Sequence, residues 1–303
     1  MAERVNTEFR SAGERCDAWL YRPDQQSSEP VPIIVMAHGL GGTKAMHLDA
    51  YAQRFSSAGY LCLVFDYRHF GDSAGEPRQL LSVPGQLADW TAAIAHARSL
   101  PGVDPDRVVV WGTSFGGGHA LTMAARDRRL AAAIAQCPFT DGIASALAVD
   151  PLTSARVTLA AVRDRLGAIR GAQPRYLPSA APPGTPAFMS APDALPGITA
   201  LGAEDDHFDN RITARSVFDV LFYAPGRHTA DIRCPVYVAL CDPDTVAPNR
   251  TARRQAVRAP SAEVHTYPVG HFDIYFGEHF DRAVGDYLEF LGRHVPVAAP
   301  SVT

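Results

Sequence analysis

Hydrophobic and polar positions along the chain follow two alternating patterns. Short, nearly continuous apolar runs rich in β-branched residues are separated by longer stretches with helical spacing. The apolar runs predict buried strands at 31–38, 60–67, 107–114 and 130–138. The stretches between them predict helices at 48–60, 84–100 and 116–127. Buried strands that alternate with helices are typical of a mostly parallel sheet covered on both faces, so we expect an α/β fold.

A long middle segment interrupts this alternation. Prolines and glycines cluster between residues 140 and 231, where the pattern also predicts a helix at 151–166. A structureless loop of that length is uncommon in a compact domain, so we expect a cap inserted between the sixth and seventh strands. The sheet pattern then resumes, with strands predicted at 234–242 and 262–268 and helices near 249–258 and 278–293.

The first segments, 5–13 and 15–23, alternate polar with apolar residues and predict strands at an antiparallel edge of the sheet. The whole pattern therefore predicts an eight-stranded, mostly parallel sheet flanked by helices. We predict that the α/β core is discontinuous and comprises residues 1–139 and 232–296. The cap is predicted at 140–231 and a flexible tail at 297–303.

Composition and charge narrow the classes of partner. The chain is 47% hydrophobic and 20% charged, and its 28 basic and 32 acidic residues give a net charge of −4. We therefore expect no nucleic-acid or membrane partner. The five cysteines have no C-x-x-C spacing and are predicted to be free thiols. The N-terminal residues lack the apolar core of a signal peptide and no 18-residue apolar run occurs, so we expect a cytoplasmic protein.

Residues 112–116, GTSFG, lie where a predicted strand passes into a predicted helix. Glycine on both sides of a serine at such a point indicates a bend too sharp for a Cβ, which exposes the serine at its tip. The spacing G-x-S-x-G in a strand–turn–helix context predicts that Ser114 is a nucleophile, while a structural turn is the alternative. A serine hydroxyl is a weak nucleophile at neutral pH, so a base and an orienting acid are required.

A second glycine-rich segment, AHGLGG at 37–42, follows an earlier predicted strand. Its glycines let backbone N–H groups approach a ligand closely. The amides of Leu40 and of Phe115, the residue after the serine, are predicted to hold a developing oxyanion. A glycine-rich connection between strand and helix is the alternative.

The predicted base is His271, in YPVGHFDIY at 267–275, because it follows the last predicted strand of the sheet. His38 and His119 fit less well, since one belongs to the glycine-rich segment and the other to the helix after the serine. The acid is expected in CDPDTVAP after the preceding strand, where Asp244 is favoured and Asp242 competes. Asp141, which follows an earlier strand, is a weaker candidate.

In their chain order, HGLGG, GTSFGG, CDPDTVAP and GHFDIY resemble the serine α/β-hydrolase superfamily over the whole chain except residues 140–231. The linking segments FDYRHFGDSAGEPRQ and VDPDRVVVWGTSFGG resemble its dienelactone-hydrolase-like and acetyl-xylan-esterase-like branch. The resemblance implies an α/β-hydrolase fold, with Ser114 as nucleophile, His271 as base, Asp244 as acid and the Leu40 and Phe115 amides as the oxyanion hole. Dienelactone hydrolases use a cysteine nucleophile, so the serine here indicates oxygen-ester chemistry.

The implied reaction is two-step acyl transfer through an acyl-enzyme, which needs no metal and no organic cofactor. We expect a small-molecule substrate, namely a small to medium, largely apolar ester. The reason is that residues 187–189 (AFM) and 216–226 give the cap apolar and aromatic content. A thioesterase, transacylase or peptidase with the same triad is the alternative, and a non-catalytic ligand-binding protein is a further one. Homo-oligomerisation stays open.

One acidic stretch invites a different interpretation. EDDHFD at 204–209 combines carboxylates with a histidine, as metal sites do. Most such runs are solvated loops, so we expect no metal there.

Overall fold

The computed structural model describes residues 3–23 and 29–297. The predicted tail at 297–303 lies outside the described residues, apart from its first residue. The described strands are β1 (Glu3–Ser11), β2 (Glu14–Arg22), β3 (Val31–Ala37), β4 (Leu61–Phe65), β5 (Val103–Thr113), β6 (Ala132–Gln136), β7 (Tyr176–Leu177), β8 (Ile212–Thr213), β9 (Val236–Cys241) and β10 (Ala262–Tyr267). The described helices are α1 (Leu48–Ser57), α2 (Val83–Ser99), α3 (Phe115–Arg126), α4 (Gly142–Ala146), α5 (Pro151–Ile169), α6 (Ala194–Leu201), α7 (Val217–Phe222), α8 (Asn249–Ala256) and α9 (Gly277–His294).

Eight strands form one sheet in the order β1-β2-β4-β3-β5-β6-β9-β10. β1 pairs antiparallel with β2, and β2 pairs antiparallel with β4, whereas the other neighbours are parallel. The predicted fold class and the predicted antiparallel edge are therefore confirmed. β5 begins at Val103, earlier than predicted, because this residue pairs with Val31 at the start of β3.

Helices cover both faces of the sheet. One apolar cluster joins one face to α2, α3 and α8 through residues such as Trp90, Leu121 and Ala252. A second cluster joins the opposite face to α1 and α9 through residues such as Phe55 and Phe290. The central strands are buried on both sides, which explains why their sequences are almost continuously apolar.

The segment between β6 and β9 contributes no strand to the large sheet. It holds α4 to α7 and a separate sheet in which β7 pairs antiparallel with β8. α5 is a surface helix, since only Thr153, Ala161 and Asp164 of its residues are buried. No helix among the described residues is long and apolar enough to cross a bilayer.

Candidate active site

Ser114 lies at the turn between β5 and α3 in a backbone conformation that few residues adopt. Its φ is 54° and its ψ is −117°, outside the regions that L-residues ordinarily occupy. A Cβ at Gly112 would lie 2.1 Å from the carbonyl oxygen of Gly116, and a Cβ at Gly116 would lie 2.3 Å from that of His38. The G-x-S-x-G spacing therefore follows from packing, because the strand, the helix and the loop after β3 approach too closely for side chains at these positions.

His271 connects Ser114 to an acidic side chain. Its Nε2 atom lies 3.1 Å from Ser114 Oγ, and its Nδ1 atom lies 2.8 Å from Asp244 Oδ2. His271 lies in the loop after β10 and is only 1% exposed. With Nδ1–H donating to the carboxylate, Nε2 keeps its lone pair and accepts the Ser114 hydroxyl. This arrangement can take the hydroxyl proton as Ser114 attacks a carbonyl carbon.

The loop after β9 orients Asp244. Its Oδ1 atom accepts the backbone N–H groups of Val246 and Ala247 at 2.9 and 2.7 Å. These two bonds fix the carboxylate so that Oδ2 faces the imidazole. The loop backbone thus holds the carboxylate in an orientation in which it accepts the His271 Nδ1–H.

The structure does not bring the other two candidate acids to His271. Asp242 is exposed, and its backbone N–H donates to the Tyr267 carbonyl oxygen. Asp141 caps α4 by accepting the Ala144 N–H at 3.1 Å. Asp141 therefore has the local capping role that aspartate often fills at a turn, whereas the contact of Asp242 comes from its backbone.

The charges of His271 and Asp244 depend on each other. Burial raises the pKa of Asp244, but the imidazole and the two amides lower it by more than burial raises it, so the net pKa lies below the usual 3.8. Burial lowers the pKa of His271, whereas the Asp244 carboxylate raises it more strongly, and the net pKa lies above the usual 6.5. The carboxylate thus favours the protonated imidazolium form of His271.

Leu40 and Phe115 both lie next to the serine. Phe115 is the first residue of α3, so its N–H belongs to the free amides at a helix N-terminus. Leu40 lies in the turn after β3, where neighbouring Gly39 would bring a Cβ to 3.0 Å from Ser114 Cβ. Within the described part of the chain neither amide donates a hydrogen bond. Both residues line a cavity that also reaches Ser114.

His38 and His119 are buried, and within the described part of the chain neither ring hydrogen-bonds to the serine hydroxyl. His119 Nδ1 lies 2.8 Å from the Tyr223 hydroxyl and Nε2 lies 2.9 Å from Gln86 Oε1. Burial lowers the pKa of His119 to about 3, so its ring is neutral. His38 Nδ1 lies 2.9 Å from the carbonyl oxygen of Gly39.

Two cavities meet at Ser114. The smaller has a volume of about 40 Å³. It is lined by His271, by the polar residues His38, Thr113 and Tyr275, and by apolar residues of α1, α6 and the loops after β3 and β10. The larger, which we call the chamber, has a volume of about 440 Å³ and extends from Phe115 to the segment between β6 and β9. The chamber is lined mainly by apolar side chains, among them Phe139, Val157, Phe188, Val220 and Leu221.

Sequence reasoning missed one contact between this segment and the site. The Thr245 hydroxyl, beside the acid, hydrogen-bonds to the Asp193 carboxylate just before α6. Asp193 also contributes to raising the pKa of His271. No motif in the sequence indicates this, because the two residues belong to segments that only the tertiary fold brings together.

The acidic stretch at 204–209 behaves as a loop. The Thr43 hydroxyl donates to the Asp205 carboxylate, and His207 Nε2 lies 3.2 Å from Asp72 Oδ1. Among the described residues, the group with metal-ligand spacing is Cys137 with Asp244 and His271. That group fits a metal poorly, because burial raises the pKa of the Cys137 thiol and a ligating thiol must lose its proton.

A nucleophile turn above a mostly parallel sheet, with a histidine and an aspartate after its last two strands, defines the α/β-hydrolase class. Residues 34–285 match the model of the family described as "Alpha/beta hydrolase family". The chain belongs to this family.

Individual relatives cover nearly the whole chain. It is similar to the quorum-quenching protein AidA of Acinetobacter baumannii, with 52% identity over 97% of this chain and 96% of that protein. It is also similar to the polyketide transferase ATR5 of Stachybotrys chlorohalonatus, with 30% identity over 96% and 97% of the two chains. The crystal structure of the α/β hydrolase GrgF from Penicillium sp. sh18 superposes with a TM-score of 0.82, at 26% identity over 97% and 99% of the two chains.

Proposed function

We propose that the protein is a serine hydrolase that cleaves a largely apolar carboxylic ester of small to medium size through an acyl-enzyme. The observation that carries this proposal is the continuous relay from Ser114 Oγ through His271 to Asp244, with separations of 3.1 and 2.8 Å, at the junction of two cavities. In this proposal Ser114 is the nucleophile, His271 the general base and acid, and Asp244 the group that orients it.

The chemistry proceeds in two halves. Ser114 Oγ bonds to the ester carbonyl carbon while His271 Nε2 takes the hydroxyl proton, and the amides of Leu40 and Phe115 stabilise the oxyanion. The ester C–O bond then breaks, and His271 returns the proton to the departing alkoxide. Water repeats the sequence on the acyl-enzyme and releases the acid and the free serine.

The proposal gives residues 140–231 the role of a cap over a core of residues 1–139 and 232–296. The chamber supports this, because its walls come from both parts: Ser114 and Phe115 on one side, and α5 and the loop before α6 on the other. A cap of this kind shapes the pocket for an apolar group.

The proposal includes a cytoplasmic location and a small-molecule ester as the partner. All five cysteines are free, and four of them are buried. Free thiols in this number are typical of a reducing compartment.

Acyl transfer to an acceptor other than water is the second candidate. The similarity to a polyketide transferase over nearly the whole chain favours it, since the fold alone does not select the acceptor. Incubation with an ester and a competing alcohol or amine distinguishes the two, because a transferase forms the new ester or amide in preference to the free acid.

Two assays test the proposed function. In the first, a pH-stat measures the acid that the protein releases from each of a panel of esters. In the second, an alkyl fluorophosphonate labels the reactive serine. We expect Ser114→Ala to abolish labelling, and Ser114→Ala and His271→Ala each to lower kcat/KM by about 10⁴-fold or more. Asp242→Asn is the matched control for Asp244→Asn, and we expect only the latter to lose activity. Retained hydrolysis in Ser114→Ala would contradict the proposal. Tight binding of unchanged ester by both the wild type and Ser114→Ala would support a ligand-binding function instead.

A further inference from the structure

The two cavities at Ser114 differ in the catalytic groups that they contact. The small cavity is lined by His271, and the chamber is lined by Phe115, while Ser114, Leu40 and Met189 belong to both. An ester carbonyl carbon bonded to Ser114 Oγ therefore has one substituent on the imidazole side and one on the Phe115 side.

The proton transfer decides which substituent lies on which side. His271 Nε2 must protonate the oxygen of the departing alcohol, so that oxygen lies within hydrogen-bond reach of the imidazole. The carbon attached to this oxygen then points into the small cavity. The acyl chain, on the other side of the same carbon, points past Phe115 into the chamber.

We propose that the chamber holds the acyl group and the small cavity holds the alcohol, so that the substrates are esters of medium-chain apolar acids with short alcohols such as methanol or ethanol. This inference rests on the proposed function and deepens it. Neither the family fold nor the relay by itself distinguishes a long acid with a short alcohol from the reverse.

The volumes set the sizes of the two groups. A cavity of about 40 Å³ has room for about three water molecules, which corresponds to a methyl or ethyl group. Its walls include Leu48 and Leu201, which are 1% and 8% exposed and packed in the core, so we expect little expansion. The chamber, at about 440 Å³, lies within the usual range for a site that encloses a small-molecule ligand.

The wild-type protein tests this assignment with a pair of isomeric esters, methyl octanoate and heptyl acetate. They have the same atoms and similar hydrophobicity but exchange the long and the short side of the ester. We expect kcat/KM to be higher for methyl octanoate by roughly tenfold or more, because only its long chain faces the chamber. Equal rates, or a preference for heptyl acetate, would overturn the assignment.

Two substitutions test each cavity separately. Leu201→Ala enlarges the small cavity, so we expect propyl octanoate to gain relative to methyl octanoate, while Leu130→Ala, a buried leucine that lines neither cavity, leaves the ratio unchanged. Val157→Trp fills the chamber from α5, so we expect methyl octanoate to lose rate and methyl acetate to keep it. The opposite selectivity in either variant would contradict the assignment.

The labelling experiment separates this inference from the proposed function. Ser114-dependent labelling with a preference for heptyl acetate overturns the assignment of the cavities and leaves the serine hydrolase intact. Labelling without cleavage of either ester also overturns the assignment, because methyl octanoate is the substrate that it specifies. Absence of both labelling and hydrolysis counts against the proposed function itself.

Discussion

In the proposed mechanism, two side chains, His271 and Asp244, make catalysis depend on pH. His271 has a pKa above its usual 6.5 because the Asp244 carboxylate outweighs the effect of burial. In the proposed mechanism His271 acts as a base only as neutral imidazole, so we expect activity to be lost as pH falls through this raised pKa. The same interaction that stabilises the imidazolium in the transition state therefore moves the acid limb of the activity profile upward.

We expect the acid limb of kcat/KM to lie above pH 6.5 in the wild type and to move to lower pH in Asp244→Asn. The substitution removes the negative charge that raises the pKa of His271, while burial, which lowers it, stays. Asp244→Asn also lowers the rate at the plateau, by about a hundredfold or more, because the imidazolium loses its stabilising charge. Profiles of kcat/KM against pH for both proteins measure the two effects, and an unmoved limb would contradict the assignment of Asp244.

The same shifts affect stability, with opposite dependence on pH. The raised pKa of His271 contributes stability that is fully present below 6.5 and is lost as pH rises through the folded-state value. The lowered pKa of Asp244 contributes stability that is present above 3.8 and is lost as pH falls through its folded-state value. The interaction between the two groups is therefore strongest between these limits.

At the scale of elements, α3, the helix that follows the serine, is joined to the inserted segment by a buried polar network. Tyr223, just after α7, places its hydroxyl 2.8 Å from His119 Nδ1 and 2.7 Å from Thr122 Oγ1, both on α3. His119 and Thr122 are 0% and 3% exposed. The network thus fixes the position of α7 relative to the nucleophile turn.

We expect Tyr223→Phe to lower the free energy of unfolding by about 1–3 kcal/mol, because it leaves the buried Nδ1 atom of His119 without its partner. Tyr176→Phe is the control: its hydroxyl makes one long bond, 3.3 Å, to the Arg78 carbonyl oxygen, and we expect a change of about 0.5 kcal/mol or less. Urea unfolding of both variants measures the difference. Equal losses in the two variants would contradict the role given to the network.

Elements of the sheet and its covering helices are predictable from the sequence because each carries its own periodic pattern. The buried strands at 31–38 and 130–138 and the helix at 84–100 appear close to their predicted limits as β3, β6 and α2. In the segment between β6 and β9, the sequence pattern predicts α5 but not the other helices or the two short strands. Its strands β7 and β8 have two residues each and α7 has six, lengths at which no periodicity develops.

At the scale of the whole molecule, a single ammonium group joins several loops around the site. Lys44 is the only lysine in the sequence and is 1% exposed. Its Nζ atom lies 2.7 Å from Asp66 Oδ2, 2.6 Å from Asp72 Oδ2 and 2.9 Å from Asp17 Oδ1. Burial lowers the pKa of Lys44, but the carboxylates raise it more, so the group stays charged. The cluster links β2 and the loop after β4 to the loop that carries Leu40.

We expect Lys44→Met to lower the free energy of unfolding by about 3–5 kcal/mol, because it leaves the buried carboxylate of Asp66 without its cation. We expect Lys44→Arg to destabilise as well, since a planar guanidinium cannot direct three donors from one point as an ammonium does. Arg129→Met is the control: it breaks an exposed pair with Asp106, and its effect should stay within about 0.5 kcal/mol. Thermal and urea unfolding measure all three, and a harmless Lys44→Met would contradict this account.

The sequence by itself determined the order of strands and helices along the chain, the glycine-flanked turn at Ser114 and the position of His271 after the last strand. These features depend on local periodicity and on sterics within a few residues. Only the tertiary structure decided which aspartate meets His271, where the partners of Lys44 come from and why the two cavities at Ser114 differ in size. The hydrogen-bonded atoms of Ser114 and His271 belong to residues 157 positions apart, and their meeting depends on the order of strands in the sheet. That order follows from packing over the whole molecule, which no local pattern records.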